Sequence, residues 1–229
     1  MSLEIIDLAM ILGYFLDINT NIGELNEMKK EPISTQFYEV NPHTMIIFPK
    51  KSGSIVYSEI YEVDSQYTSK FTPFELIKTS CNFFGSSYDG RKEGTKHLIG
   101  VTHKPPIIID PVTSTYAFPT AAPSTSDCIW IFPQHIKEYQ TVGYNHTLIR
   151  FSNQQTFEID MSLASFNNQI ARTSMLHMKF SQKMRMMESN FPSMNMFFPP
   201  ATLAAETRRY YNTMILENDD PTNSDKSKN

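Results

Sequence analysis

The sequence is poor in cysteine and has no apolar run long enough to cross a bilayer. Its 229 residues include two cysteines, Cys81 and Cys128, which do not form a CxxC pair. Two are too few for a disulfide framework, so we expect a reduced, cytoplasmic setting. The apolar run near the start, residues 5–16, contains Asp7 and follows Glu4. Because a membrane helix needs about 20 apolar residues and a signal peptide begins with positive charge, we expect neither.

The signatures of several enzyme classes are missing as well. The six histidines show no HExxH or other zinc spacing, and neither serine of GSSYDG lies in G-x-S-x-G. Gly85 and Gly90 are spaced as in a nucleotide-binding Walker A loop, but Arg91-Lys92-Glu93 follows and leaves no Ser or Thr for magnesium. We expect no catalysis, no metal and no cofactor. A catalytic site assembled from distant residues remains an alternative.

The net charge of the whole chain does not reveal the positive charge of its middle part, because both ends are acidic. The net charge is −4, but residues 1–39 hold seven acids and two bases, and residues 217–229 hold four acids and two bases. The remainder, residues 40–216, carries 16 bases against 13 acids. An anionic partner meets local charge rather than the average, so a nucleic acid stays a candidate partner.

Residue patterns in the body predict an α+β fold. Thr72 and Pro73 predict a helix over 72–84, and apolar spacing predicts a second over 163–187 that Ser162 caps. Segments rich in β-branched and aromatic residues predict strands at 44–49, 54–63, 97–102, 106–110, 115–119, 128–133, 147–151 and 156–160. We therefore predict an antiparallel sheet or partial barrel followed by C-terminal helices, the last over 202–217.

The stretch FFGSSYDGRKEGT, residues 83–95, has the composition of a phosphate-binding loop. The amides and hydroxyls of Gly85, Ser86 and Ser87 can bond phosphate oxygens, and Arg91 and Lys92 can neutralise them. The alternative is a surface loop whose glycines merely permit tight turns. Residues 78–104 hold five bases against two acids, which favours an anionic partner.

A second basic element lies on the predicted helix 163–187. Arg172, Lys179 and Lys183 are spaced by seven and four residues, so they form one stripe. No acidic residue occurs between Asp160 and Glu188. A solvated polar face is the alternative interpretation, although such faces usually mix both signs.

Several segments together closely resemble the ComK family, competence transcription factors of Gram-positive bacteria. They are CNFFGSSYDGRKEGT, THKPPIIIDP and the run from FSN to SFNNQIARTSMLHMKF, and the resemblance extends over residues 38–180. It implies an activator of DNA-uptake genes that acts as an oligomer, a dimer or tetramer, together with RNA polymerase. It also implies binding to paired A/T-rich boxes of double-stranded promoter DNA, largely through the minor groove, and a place on the nucleoid.

With this resemblance, the basic residues become candidate DNA contacts. A narrow A/T groove attracts long cations and offers little base-edge code. The predicted DNA-binding residues are Gly85, Ser86, Ser87, Arg91, Lys92, Lys96, His103, Lys104, Arg172, Lys179 and Lys183. Phe83, Phe84 or the turn 105–107 could insert between bases, with core packing as the alternative for the phenylalanines.

The resemblance also implies a degradation signal near the C-terminus, through which the adaptor MecA passes the protein to a Clp protease. The matching segment is NMFFPP, with Met196, Phe197, Phe198 and Pro199 as the predicted contacts. Asn195 departs from the aromatic residue expected there. A rival hypothesis is a protein-binding module that does not bind DNA.

Four regions follow from these patterns. Residues 1–36 are predicted to be an accessory extension, with Met28 as an alternative start, and residues 37–188 the DNA-binding body. Residues 189–217 form a C-terminal protein-binding segment, and residues 218–229 a disordered tail.

Overall fold

The protein is described by a computed structural model that covers residues 32–35 and 37–190, with Glu188 described by its backbone alone. The helices are α1 (Pro73–Phe83), α2 (Tyr88–Ile99) and α3 (Leu163–Asn190). The strands are β1 (Ile33–Thr35), β2 (Thr44–Ser52), β3 (Ile55–Glu62), β4 (Gln66–Ser69), β5 (Ile107–Asp110), β6 (Thr115–Pro119), β7 (Trp130–Ile131), β8 (Ile136–Thr141), β9 (Thr147–Phe151) and β10 (Thr156–Ile159). A 3-10 turn, Pro133–His135, precedes β8.

The strands form two sheets. Seven are arranged in the order β1-β4-β3-β2-β7-β6-β5, and β8 to β10 form an antiparallel meander. Within the large sheet, β1 runs parallel to β4, and every other recorded pair is antiparallel. The predicted α+β class with an antiparallel body and a following helix is therefore confirmed.

Both faces of the large sheet are covered, which gives three layers. On one face, α1 and Tyr88 of α2 pack on a cluster around Trp130 and Ile47. On the other face, the meander and Phe166 of α3 pack on Phe118 and Ile131. The alternation of side chains along each strand explains this two-sided core, because neighbours in a strand point to opposite faces.

Local sequence explains α1. The Thr72 hydroxyl accepts a bond from the Glu75 amide at 3.3 Å, and the Glu75 carboxylate accepts one from the Thr72 amide at 2.8 Å. This reciprocal capping box, with Pro73 at the first helical position, fixes where the helix begins. The predicted helix 72–84 is confirmed, as is the Ser162 cap of α3, whose hydroxyl accepts from the Ser165 amide.

Two predictions about residues 83–102 are wrong. Residues 83–95 do not form one loop, and residues 97–102 do not form a strand, because α2 covers residues 88–99. Ser87 caps its start and Gly100, with φ of +72°, ends it. Burial of Tyr88 and Thr95 outweighs the cost of two internal glycines, about 1 kcal/mol each.

Three strands were not predicted, and some predicted regions lie outside the described residues. The unpredicted strands are β1, β4 and β8. β1 pairs with β4 although it lies within the predicted accessory extension. Residues 1–31 and 191–229, with the helix predicted at 202–217 and the tail 218–229, lie outside the described part. The domain boundaries stay predictions.

The cap of α2 gives a stability test with a neighbouring control. The Ser87 hydroxyl accepts a bond from the Gly90 amide at 3.0 Å. Because Ser87→Ala removes this acceptor, it should lower the free energy of unfolding by about 1 kcal/mol in a urea titration. Ser86→Ala should change it by less than about 0.5 kcal/mol, since the Ser86 hydroxyl makes only a long bond to the next carbonyl. Equal losses in the two variants would contradict the assigned cap.

Candidate nucleic-acid interface

The connection between α1 and α2 is a tight turn closed by its own backbone. Gly85, with φ of +72°, donates its amide to Asn82 O at 3.0 Å, and Ser86 donates to Cys81 O at 3.0 Å. Both bonds satisfy carbonyls at the end of α1. The amides of Gly85 and Ser86 and the hydroxyl of Ser87 are therefore already engaged within the protein, although all three residues were predicted to bond phosphate.

Arg91 is directed toward the protein rather than toward solvent. Its Nη2 atom donates to Phe84 O at 3.3 Å and to Ile109 O at 3.5 Å, and its Nε atom is buried without a hydrogen-bond partner. Burial raises the pKa of the neighbouring Cys81 thiol to about 11, and the charge of Arg91 opposes that rise. Arg91 thus joins α2 to α1 and β5, so its replacement would disturb packing as well as charge.

The other cations of α2 differ in exposure. Lys92 is half-buried and Lys96 is exposed. Lys96 Nζ lies 3.3 Å from the Glu93 carboxylate, one helical turn away. More than half of each side chain is exposed, so this pair is weak and leaves Lys96 able to exchange partners.

The loop 101–106 carries the exposed residues His103 and Lys104, and α3 holds it in place. Gln169 of α3 donates its amide to Lys104 O at 3.1 Å and to Pro119 O at 2.8 Å. Lys104 has a left-handed backbone, φ +47°, and its Nζ atom donates to Thr120 O at 3.1 Å. The position of this lysine is therefore fixed by its backbone, while its ammonium stays at the surface.

A further lysine near Lys104 was not predicted. The pKa of Asp127 is lowered, chiefly because its carboxylate accepts bonds from the Thr125 side chain and a backbone amide, and further by the charges of Lys51 and Lys104. Both lysines therefore lie near the same exposed carboxylate. Lys51 belongs to the β2–β3 hairpin, and no spacing in the sequence relates it to Lys104.

The predicted basic stripe of α3 is present. Lys179 and Lys183 are exposed and Arg172 is half-buried. Among the side chains that the structure describes, none of the three pairs with a carboxylate. The buried residues Phe166, Gln169, Thr173 and Leu176 hold the neighbouring side of the helix against the body. The helix therefore presents unpaired positive charge to solvent.

The two basic helices meet each other. Leu98 and Ile99 at the end of α2 pack in one cluster with Leu176 and Phe180 of α3. Leu176 lies four residues after Arg172 and three before Lys179, so the stripe runs beside this contact. The structure thus brings together the end of α2, the Lys104 loop and the stripe of α3, but it turns Arg91 inward.

Phe83 and Phe84, the candidate wedges, pack edge-to-face with ring centroids 5.0 Å apart. Phe83 is 58% exposed, whereas Phe84 packs against the core. The turn residues Pro105, Pro106 and Ile107 are buried. Of these candidates, only Phe83 presents most of its side chain to solvent.

An open cleft of about 480 Å³ lies on the other flank of α3. Hydroxyl side chains from 113–115 and 173–174 line it, with His135 and His177. His135 Nε2 is held 2.6 Å from Pro42 O, and the ring of His177 packs edge-on against Tyr116.

Across residues 32–35 and 37–190, no cluster of His, Cys, Asp and Glu could hold a metal ion. In the same part of the chain, no helix combines the length and the hydrophobicity needed to span a bilayer.

Comparison with known proteins identifies the family of this chain. The family model described as ComK protein matches residues 35–185, which contain every element from β2 to β10 and most of α3. The competence transcription factor of Bacillus subtilis (strain 168) is 37% identical over 155 residues, which cover 68% of this chain and 81% of that protein. No solved structure matches the chain significantly. With two thirds of its length matched, this chain belongs to the ComK family.

Proposed function

We propose that this protein is a competence transcription factor that binds A/T-rich promoter DNA, largely through the minor groove. The observation that carries the proposal is the basic stripe of α3, which has no described carboxylate partner and lies beside the Lys104 loop. Family membership and the name of the Bacillus subtilis relative support the same function. The protein would regulate genes for DNA uptake.

The dimensions of the stripe suit a short stretch of duplex. From Arg172 to Lys183 it extends about 16 Å, because a helix rises about 1.5 Å per residue. Phosphates follow each other at about 3.4 Å of axis per strand, so this length corresponds to about five base pairs. A narrow A/T groove has an enhanced negative potential that attracts inserted lysine and arginine side chains. The potential of the groove would then give a preference for A/T-rich DNA. No helix that contacts base edges would be needed.

The contacts of the candidate residues suggest different roles within this interface. Lys179, Lys183 and Lys104 would contact phosphates and the groove, with Arg172, Lys92, Lys96 and His103 at its borders. Arg91 would act indirectly, by holding α2 against α1 and β5. Ser87 would likewise act as a helix cap, with Gly85 and Ser86 forming the turn before it.

The other proposed partners follow from family membership rather than from contacts. As an activator, the protein would bind paired boxes as a dimer or tetramer and act on RNA polymerase. Its abundance would be limited by MecA and a Clp protease through Met196, Phe197, Phe198 and Pro199, which lie outside the described residues. This proposal places the protein in the cytoplasm, on the nucleoid.

DNA preference is the direct test of the proposed function. The protein should shift a duplex with two A/T-rich boxes at concentrations at least about tenfold lower than a G/C-rich duplex of equal length, at the same salt, because each unfavourable base pair costs about 1–3 kcal/mol. A gel-shift titration at fixed ionic strength measures this ratio. Equal affinity for both duplexes would contradict sequence preference, and absence of any shift would favour the protein-binding module.

The role of α3 can be separated from a general effect of charge. The double variant Lys179→Ala and Lys183→Ala should weaken binding to both duplexes and reduce the slope of log affinity against log salt by about two, one for each lost phosphate contact. The matched control is Lys70→Ala and Lys78→Ala, which removes two exposed lysines next to α1 and on it. An unchanged slope in the α3 variant would rule out phosphate contacts by these lysines.

The degradation signal has a separate readout. Phe197→Ala with Phe198→Ala should lengthen the lifetime of the protein after translation is blocked, in cells that contain MecA, and should leave DNA affinity unchanged. Phe191→Ala, an aromatic replacement outside NMFFPP, is the control and should not alter lifetime. Equal lifetimes of the double variant and the unmodified protein would contradict the assignment of Phe197 and Phe198 to a degradation signal.

A further inference from the structure

The exposed stripe of α3 contains methionines as well as cations. Arg172, Met175, Lys179, Lys183 and Met186 follow one another at spacings of three, four, four and three residues, so they lie along one side of the helix. Met175 is 48% exposed and Met186 is 63% exposed. A thioether offers a phosphate neither charge nor a hydrogen-bond donor. Methionine side chains on a helix surface, in contrast, pack well against apolar peptide segments.

The charge of the stripe restricts which peptide fits it. No acidic residue occurs between Asp160 and Glu188, and the exposed cations have no carboxylate partner among the described side chains. A segment that is apolar and acidic would cover the methionines and also neutralise the lysines. A basic or neutral apolar segment would leave the lysines unpaired at a less solvated surface.

The chain itself contains a segment with this chemistry. Residues 5–16 are a nearly continuous apolar run, and Glu4, Asp7 and Asp17 lie within it or at its ends. Residues 1–27 hold five acids and no lysine or arginine. This segment precedes the family match, which begins at residue 35.

We propose that residues 4–17 bind the methionine and lysine stripe of α3 in the same chain and compete with DNA for it. The contact itself is independent of the proposed function, and only the competition rests on it. Carboxylates of the segment would take the place of phosphates, and its apolar side chains would cover Met175 and Met186. The N-terminal extension would then lower DNA affinity without touching the DNA.

The chain between the two partners is long enough. β1 begins at Ile33, at the edge of the large sheet opposite β5, and a seven-stranded sheet is about 29 Å wide. Residues 18–32 can span about 50 Å when extended. Tethering through such a linker gives an effective concentration in the millimolar range, so a weak contact is enough to occupy the stripe.

The contact can be observed without DNA. A nitroxide attached through Ser2→Cys should broaden the methyl signals of Met175 and Met186 in a protein with isotope-labelled methionine methyls. The same label at Ser224→Cys is the control and should not do so. The native thiols are buried, and burial raises the pKa of both Cys81 and Cys128 to about 11, so the label attaches at the introduced site.

Two results of this measurement would overturn the contact. One is equal broadening of these methyl signals from both label positions, or none from either. The other is broadening in a mixture of spin-labelled chains with separate isotope-labelled chains, because that would show contact between copies rather than within one chain.

The competition is tested by removing charge from the full-length protein. Glu4→Gln, Asp7→Asn and Asp17→Asn together should raise affinity for the A/T-rich duplex about threefold to tenfold, because the stripe is no longer occupied. The control neutralises three acids at the other end of the chain, Glu217, Asp219 and Asp220, and changes the net charge equally. Equal gains in both variants would show general electrostatics and overturn the competition. If no form of the protein binds DNA, the proposed function fails, while the methyl spectra still decide the contact.

Discussion

The buried amide of Gln169 is the interaction on which the candidate interface depends. It donates to Lys104 O and to Pro119 O, and so joins α3, the loop after α2 and the end of β6. Gln169 is 3% exposed, and its bond to Pro119 O is buried, whereas its bond to Lys104 O is partly buried. Removing the amide would leave the buried carbonyl of Pro119 without this donor, which is costly compared with the modest gain from forming the bond. The two bonds therefore fix the Lys104 loop and the end of β6 against α3, although the Oε1 atom of Gln169 is itself buried without a hydrogen-bond partner among the described residues.

This arrangement separates the residues that carry charge from those that place it. Arg91 directs one guanidinium nitrogen to the carbonyls of Phe84 and Ile109, at 3.3 and 3.5 Å. Lys179 and Lys183 keep their charge in solvent, where an anionic partner can meet it. A guanidinium suits the first role because its planar fork bonds several carbonyls at once, and a lysine ammonium on a flexible stem suits the second. Charge alone does not distinguish these roles in the sequence.

Much of the fold could be predicted because local and tertiary preferences agree. β5 and β6 are rich in β-branched and aromatic residues, and Thr72, Pro73 and Glu75 specify the start of α1. The prediction failed at α2, where Gly90 and Gly94 disfavour a helix but the Ser87 cap and the burial of Tyr88 and Thr95 impose one. β8 was missed because its sequence, IKEYQT, is polar at most positions and pairs mainly through its backbone with β9.

The candidate site was predictable in part for the same reason. Helical spacing is enough to place Arg172, Lys179 and Lys183 on one stripe, because α3 is regular over its whole length. The proximity of Lys104 to α3 depends on Gln169, and the position of Lys51 near Asp127 depends on a hairpin from another part of the sheet. Such relations arise from tertiary contacts between distant segments, and no single-sequence pattern encodes them.

The two anions proposed for α3 differ in how they respond to salt. Duplex DNA carries enough charge to condense counterions, and each phosphate neutralised by a cation releases them, so its affinity falls with a slope of about −0.9 per contact. A peptide segment with three carboxylates has a far lower charge density, so salt weakens it mainly by ordinary screening over about 8 Å at physiological ionic strength. Its apolar contacts with Met175 and Met186 are not weakened by added salt. A rise in ionic strength therefore shifts the competition toward the segment, and a fall shifts it toward DNA. The methionines in the stripe widen this asymmetry, because their apolar contacts hold the segment at ionic strengths that weaken both sets of charge contacts.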